Sequence, residues 1–111
     1  MRGNKYGARK IKTQDGEVFD SLREMRRWQD LKLMEKAGEI SELQRQVKYP
    51  LIPKTKGKTR TERECVYYAD FVYKDRSGET VVEDCKGFRT ETYKVKRKLL
   101  LWLYGIEVLE T

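Results

Sequence analysis

Histidine is absent from the 111 residues of this chain, and cysteine occurs only twice. Without histidine, the chain cannot carry out Ser-His-Asp or Cys-His catalysis, and it cannot build a histidine-ligated metal site. If the protein is an enzyme, its chemistry must therefore rest on carboxylates, lysine, tyrosine or an oxygen-bound metal.

Long apolar segments are also missing. The longest run, "LLLWLYGI", is too short to cross a membrane, so we expect no membrane partner. The segment "MRGNKYGARK" has no apolar stretch after its basic residues, so we expect no secretory signal. Cys65 and Cys85, which are not in a CxxC spacing, are then expected to be reduced thiols in a cytoplasmic protein.

Basic residues are abundant and clustered. The net charge is +7, and three clusters in residues 1–12, 54–63 and 89–98 hold five basic groups each, with at most one acid apiece. Such clusters predict a surface that follows the phosphates of a nucleic acid, although solvated charge that keeps the protein soluble is the competing interpretation. The candidate nucleic-acid contacts are Lys5, Arg9, Lys10, Lys54, Lys56, Lys58, Arg60, Arg89, Tyr93, Lys94 and Arg97.

The pattern of the chain predicts one domain over residues 1–111, with a basic N-terminal arm or hairpin in 1–20 and a basic mobile loop in 54–63. Asp15-Gly16 indicates a hairpin, and two amphipathic helices begin at the caps Ser21 and Thr90. Three strands between the helices and one after them give the order α-β-β-β-α-β. We therefore expect an α/β fold with a mixed β-sheet flanked by helices. The modest hydrophobic content, 38%, also predicts a second copy of the chain that covers part of the apolar surface.

The segment "TVVEDCKG", Thr80–Gly87, begins as a β-branched strand and ends in charged residues followed by a glycine. Asp84 and Lys86 share one face of that strand, and Glu83 takes the other. The preceding strand carries Asp70. A four-residue loop between the two strands would set Asp70 opposite Glu83, and a three-residue loop Arg76–Gly78 would set it opposite Asp84. We prefer the second register, which leaves Ala69, Phe71, Tyr73, Val81 and Cys85 for the packed face.

Two neighbouring carboxylates repel each other unless a cation lies between them. An all-oxygen site suits Mg²⁺, for which Mn²⁺ can substitute. A lysine beside the ion can orient or deprotonate a water molecule, or stabilise charge on a phosphate. Asp70, Asp84 and Lys86 are thus a working set for phosphodiester hydrolysis without histidine.

These residues also carry a resemblance. "YADF", "VVEDCKG" and the helix that follows resemble the PD-(D/E)XK nuclease superfamily. From "NKYGARK" to "YGIEVLE", the chain is similar to small phage-encoded endonucleases of that superfamily, which are related to Holliday junction resolvases.

The resemblance implies a restriction-endonuclease-like core and a metal-dependent DNA endonuclease, in which a metal-activated water hydrolyses four-way or branched DNA. It implies that Glu24, Asp70 and Asp84 bind the metal and that Lys86 serves the water or the scissile phosphate. It also implies a homodimer, and a place in the host cytoplasm if the chain is phage-encoded.

Each of these assignments has a structural alternative. Glu24 stands three residues after Ser21 and could simply close a capping box. Asp84 and Lys86 could form a cross-strand ion pair, and Glu83 could replace Asp84 as a ligand in the other register. The alternative functions are an endonuclease that nicks DNA without regard to its shape and a non-catalytic DNA-binding module on a nuclease fold.

Overall fold

The computed structural model describes residues 10–111, so the predicted contacts Lys5 and Arg9 lie outside the described residues. The elements of this part of the chain, in order, are β1 (Ile11–Lys12), β2 (Val18–Phe19), α1 (Leu22–Lys36), β3 (Ser41–Ile52), β4 (Thr55–Lys56), β5 (Thr61–Glu62), β6 (Cys65–Lys74), β7 (Thr80–Asp84), α2 (Glu91–Tyr104) and β8 (Leu109–Glu110).

One four-stranded sheet organises the fold, with strand order β3-β6-β7-β8. The first three strands are antiparallel, and β8 runs parallel to β7 after the chain has crossed through α2. The small hairpins β1–β2 and β4–β5 are separate from this sheet. The predicted fold class, a mixed sheet flanked by helices in the order α-β-β-β-α-β, is confirmed.

Both helices begin at the caps that the sequence predicts. The Ser21 hydroxyl accepts the Glu24 N–H at 3.1 Å, and the Thr90 hydroxyl accepts the Tyr93 N–H at 3.0 Å. Gly105 ends α2 with a φ of 69°, a left-handed conformation that glycine adopts without steric cost.

The sheet packs against the helices through two apolar clusters. The first cluster includes Tyr93 and Leu100 of α2, and the second includes Leu31 of α1 packed with Phe71 and Tyr73. Trp28 of α1 stacks on Phe71 with ring centroids 5.8 Å apart. The two helices therefore stabilise different parts of the sheet.

The register of the β6–β7 hairpin is the one that sequence analysis preferred. Val72 pairs with Val82 and Tyr73 with Val81. Gly78 closes the three-residue loop with a φ of 87°. Continuing this register by one position past Phe71 and Glu83 sets Asp70 opposite Asp84, so the two carboxylates meet across neighbouring strands.

The predicted face of Ala69 was wrong, because the alternation of β6 breaks at Asp70. Ala69 packs in the cluster of α2, whereas Phe71 packs in the cluster of α1. In a regular strand, residues two apart lie on one face. Gln46, which lies across from Asp70 on β3, has a φ of 52°, and this left-handed residue accompanies the break.

Residues 54–63, which we expected as a mobile loop or a hairpin tip, form the β4–β5 hairpin. Thr55 pairs with Glu62 and Lys56 with Thr61. The long β3–β6 ladder ends at Ile52 and Cys65, just before this segment. The ladder holds both ends of the hairpin close together, which is why a segment without apolar periodicity can pair with itself.

Candidate metal centre

Three elements bring the predicted acids together. Glu24 lies in the first turn of α1, Asp70 lies where β6 changes face, and Asp84 ends β7. The carboxyl of Asp70 lies within hydrogen-bonding reach of both Glu24 and Asp84. The residues that were 14 to 60 positions apart in the sequence thus form one group, with Asp70 in the middle.

Glu24 lies both at the start of α1 and beside the other acids. Its side chain is buried, with the residue 3% exposed, and Oε1 accepts the Asp20 N–H at 2.9 Å, a contact that closes the start of α1. Oε2 lies 3.4 Å from the Gln46 amide nitrogen. Burial and the neighbouring Asp70 raise the pKa of Glu24 to about 7.

Asp70 is held by donors from two sides. The Cys85 N–H donates to Oδ2 at 2.9 Å, and the Gln46 side chain donates to Oδ1 at 3.3 Å. Burial raises the pKa of Asp70, but hydrogen bonds with Asp84 and Glu24 outweigh burial, and the pKa lies below its ordinary value. Asp70 is therefore the member of the group that stays ionised.

Asp84 is almost fully buried, with 1% of the residue exposed. The Tyr67 hydroxyl donates to Oδ2. Oδ1 lies 3.2 Å from Lys86 Nζ as an ion pair, yet it is a buried oxygen without a hydrogen bond. Burial and the neighbouring Asp70 raise the pKa of Asp84 to about 8. This oxygen is the clearest open position for a cation in the group.

Lys86 is positioned by the aromatic ring of Tyr93, which lies 4.7 Å below its ammonium. Tyr93 itself is 7% exposed, and its hydroxyl donates to Glu110 at 2.6 Å. The structure therefore places this predicted nucleic-acid contact in the core, where it cannot stack on a base. It supports Lys86 instead.

Glu83 is not a second ligand. Its carboxylate is fully buried on the opposite side and binds Arg27 in a two-pronged ion pair at 2.5 and 3.0 Å. The hydroxyls of Tyr73 and Thr111 donate to it at 2.6 and 3.1 Å. With all of these partners, Glu83 ties α1 to the end of the sheet.

The carboxylates of Asp70, Asp84 and Glu24 supply some, but not all, of the ligands that a hard divalent cation needs. Among residues 10–111, no three or more Asp, Glu, Cys or His side chains are already gathered in an arrangement that would hold a metal ion. Mg²⁺, however, is usually held by one or two carboxylates together with waters and substrate phosphates. Asp70 and Asp84, with the unbonded Oδ1, fit such a two-carboxylate site, and Glu24 is available next to Asp70.

The remaining predicted basic residues fall into three groups. Arg89 and Arg97 lie near the acids, where both bind Glu110 at 2.9 and 2.8 Å. Lys94 pairs with Glu91 on the same helix, and Lys10 pairs with Asp20. The others stand exposed on or beside the β4–β5 hairpin, away from the acids: Lys54, Lys56, Lys58 and Arg60.

Sequence analysis gave no firm role to Gln46 and none to Arg23 or Arg26. Gln46 binds both Glu24 and Asp70, but as one of several polar positions in a strand it had no distinguishing mark. Arg23 and Arg26 of α1 line a surface cavity together with Cys85 and Thr111, which follow the ends of β7 and β8. The helix pattern alone marks these arginines only as a solvated face.

Divalent cations are expected to stabilise the protein more at pH 8.5 than at pH 5.5. The raised pKa values of Glu24 and Asp84 mean that the folded state holds protons that the unfolded chain releases near pH 4. That stabilisation is fully present below about pH 4 and is lost as the pH rises through 7 to 8. Asp70, whose pKa is lowered from its ordinary value of 3.8, stabilises the folded state at every pH above that value, so its contribution is the same at pH 5.5 and 8.5.

Above pH 8, the ionised acids repel one another, and a cation relieves the repulsion without having to displace protons. The measurement is the melting temperature with and without Ca²⁺ at both pH values, for the wild type and for Asp84→Asn. An equal Ca²⁺ effect at both pH values in the wild type would contradict the assignment.

The fold and the site together define a small mixed α/β protein with a buried carboxylate group at the end of its sheet. The chain belongs to the DUF1064 family, described as a protein family of unknown function, whose model matches residues 3–107. Neither a curated protein nor a solved structure matches the chain. In the part of the chain that the structure describes, neither helix is long and apolar enough to cross a membrane.

Proposed function

We propose that this protein is a metal-dependent DNA endonuclease of the PD-(D/E)XK class that cuts four-way or otherwise branched DNA, as a Holliday junction resolvase does. The observation that carries the proposal is the contact of Asp70 with Asp84 beside Lys86, in which one buried Asp84 oxygen has no hydrogen bond. Burying two neighbouring acids is costly, and such groups concentrate at functional sites.

Asp70 and Asp84 would hold the ion, Mg²⁺ or in its place Mn²⁺, with Glu24 and Gln46 around them. When bound, the ion polarises the phosphate and lowers the pKa of water. The side chain of Lys86 is 28% exposed, and its ammonium forms an ion pair with Asp84. The same ammonium can also donate a hydrogen bond to a phosphate oxygen. Its positive charge would stabilise the negative charge that builds up as a water oxygen bonds to phosphorus and the P–O3′ bond breaks. The products are a 5′-phosphate and a 3′-hydroxyl.

Basic residues supply the binding surface. Arg89 and Arg97 beside the acids, and the exposed lysines of the β4–β5 hairpin, offer contacts to phosphates at two separate places. Contacts of this kind position the DNA backbone and carry no base sequence. We therefore expect the enzyme to select DNA by shape.

A homodimer would present two such sites to two strands of a junction. Val95 and Trp102 lie seven residues apart on α2 and are 54% and 79% exposed. Residues at this spacing share a helix face, and a second copy of the chain would cover it. Sedimentation should then give a dimer for the wild type and a monomer for Trp102→Lys.

The experiment is cleavage of a synthetic four-way junction and of a linear duplex with matching sequence, in Mg²⁺ or Mn²⁺. The proposal predicts paired, symmetric nicks in the junction alone. Equal cutting of both substrates would show that the protein does not prefer branched DNA, and the alternative of a nicking endonuclease would then apply.

A parallel binding measurement in Ca²⁺ separates an enzyme from a binding module. If the acids hold a cation, Ca²⁺ should support junction binding without cleavage. A protein that binds only through basic residues would respond to Ca²⁺ as it does to added salt. Tight binding of the junction without cleavage in any metal would instead indicate a non-catalytic DNA-binding module.

A further inference from the structure

We propose that the open side of the β3–β6 ladder binds an unpaired nucleotide next to the scissile phosphate, with its base stacked on Tyr68 and its phosphate on Lys48. This inference rests on the proposed endonuclease function and deepens it. It assigns the substrate feature that the enzyme selects, an unstacked nucleotide in branched DNA rather than a continuous duplex.

The ladder connects the acids to the basic hairpin. Val47 pairs with Ala69, Lys48 with Tyr68 and Pro50 with Val66, and the ladder ends at Ile52 and Cys65, just before β4 and β5. Gln46, the residue that binds Glu24 and Asp70, begins this stretch. A DNA strand that lies along the ladder would therefore reach the acids at one end and the hairpin lysines at the other.

The two sides of this stretch differ in burial. Tyr67 and Ala69 are buried in the cluster of α2, at 4% and 0% exposure. Tyr68, between them, is 51% exposed. On β3, the exposed residues alternate in the same way, with Gln46, Lys48 and Pro50 open to solvent. Tyr68 thus presents a large ring on a rigid strand, two residues from Asp70.

Charge on this side favours a nucleic acid strand. Lys48 lies directly across from Tyr68 and forms an ion pair with Glu64 at 3.6 Å, in which both side chains are about half exposed. Exposed pairs of this kind stabilise a protein little, so a phosphate can take the place of Glu64 at low cost. Beyond Lys48, the hairpin adds five more basic side chains, which are exposed.

An aromatic ring on the face of a sheet can stack only on a base whose own face is uncovered, so the bound nucleotide must be unpaired. Bases in a duplex are stacked on each other, so their faces are covered. A tyrosine can stack only on a base that is single-stranded or splayed out, and such stacking accepts any base. Nucleotides of this kind occur at the branch points of DNA junctions. Because Tyr68 lies beside Asp70, the phosphodiester bond that is cleaved would lie next to a branch point of the DNA.

The test compares Tyr68→Ala with Tyr68→Phe, which keeps the ring, and with Leu33→Ala, which removes an exposed apolar side chain of α1. Thermal melting of each variant shows whether it is folded. The substrates are a four-way junction and a matched linear duplex, with 2-aminopurine in place of a base flanking the cut. Binding is measured in Ca²⁺ and cleavage in Mg²⁺.

The expected result is a roughly ten- to hundred-fold weaker binding of the junction by Tyr68→Ala, with binding of the duplex unchanged. The wild type, Tyr68→Phe and Leu33→Ala should quench 2-aminopurine in the junction, and Tyr68→Ala should leave it bright. Equal junction binding by Tyr68→Ala and the wild type, or an equal loss on both substrates, would overturn the inference. Absence of cleavage by the wild type would instead count against the proposed function, and the binding and quenching results would still decide the role of Tyr68.

Discussion

Asp84→Asn is expected to slow Mg²⁺-dependent cleavage of a four-way junction roughly 10³-fold, because a metal ion contributes several kcal/mol of charge stabilisation to the transition state. Asparagine keeps the size of the side chain, and its carbonyl oxygen can still accept the Tyr67 hydroxyl. The variant removes the negative charge that would hold the ion. The measurement is single-turnover cleavage at pH 8, where the wild-type group is substantially ionised.

The matched control is Asp30→Asn, which changes an exposed acid of α1 that has no place in the carboxylate group. It should cut at the wild-type rate. Asp84→Asn should also unfold at no lower a temperature than the metal-free wild type at pH 8, since it removes a buried charge next to Asp70. Full cleavage activity in Asp84→Asn would show that this acid does not take part in the reaction.

Arg27→Ala is expected to lower the free energy of unfolding by about 3 to 5 kcal/mol, because it leaves the buried carboxylate of Glu83 without its charged partner. The hydroxyls of Tyr73 and Thr111 still donate to Glu83, but they carry no charge. The measurement is urea unfolding at pH 7, followed by circular dichroism.

The matched control is Arg60→Ala, which breaks the 2.9 Å ion pair with Glu62, in which both side chains are largely exposed. That change should cost less than about 1 kcal/mol. Adding Glu83→Gln to Arg27→Ala should recover part of the loss, since no charge then remains buried. Equal losses in Arg27→Ala and Arg60→Ala would contradict the structural role of the Arg27–Glu83 pair.

Local rules predicted much of this fold. Ser21, Thr90 and Gly105 set the ends of the helices because caps act through neighbouring backbone groups. Gly78 set the β6–β7 register because only a residue that accepts a positive φ closes a three-residue loop without strain. The juxtaposition of Asp70 and Asp84 follows from that register alone, so the centre of the candidate site could be derived from the sequence.

The remaining features depend on contacts between distant segments. Arg27 and Glu83 lie 56 residues apart, and no spacing rule pairs them. The change of face at Asp70 accompanies a left-handed Gln46 on the neighbouring strand, which a pattern of strict alternation cannot predict. Tyr93 was predicted as a contact for DNA from its basic neighbours, but its ring is needed under Lys86 and its hydroxyl at Glu110.

The Arg27–Glu83 pair also bears on the site. It anchors α1, which carries Glu24, to β7 one residue before Asp84. The same ion pair that stabilises the fold therefore fixes the distance between two of the three acids. A loss of stability in Arg27→Ala should accordingly come with weaker Ca²⁺ stabilisation at pH 8.5.

The most direct test of the central claim is a crystal structure of the protein with Mn²⁺ and a four-way junction, with anomalous diffraction data to locate the metal. The account predicts an anomalous peak bound by Asp70 and Asp84 oxygens, next to a phosphate of the DNA that Lys86 also contacts. No peak at these two acids, with manganese held elsewhere or the scissile phosphate bound only by basic residues, would contradict it.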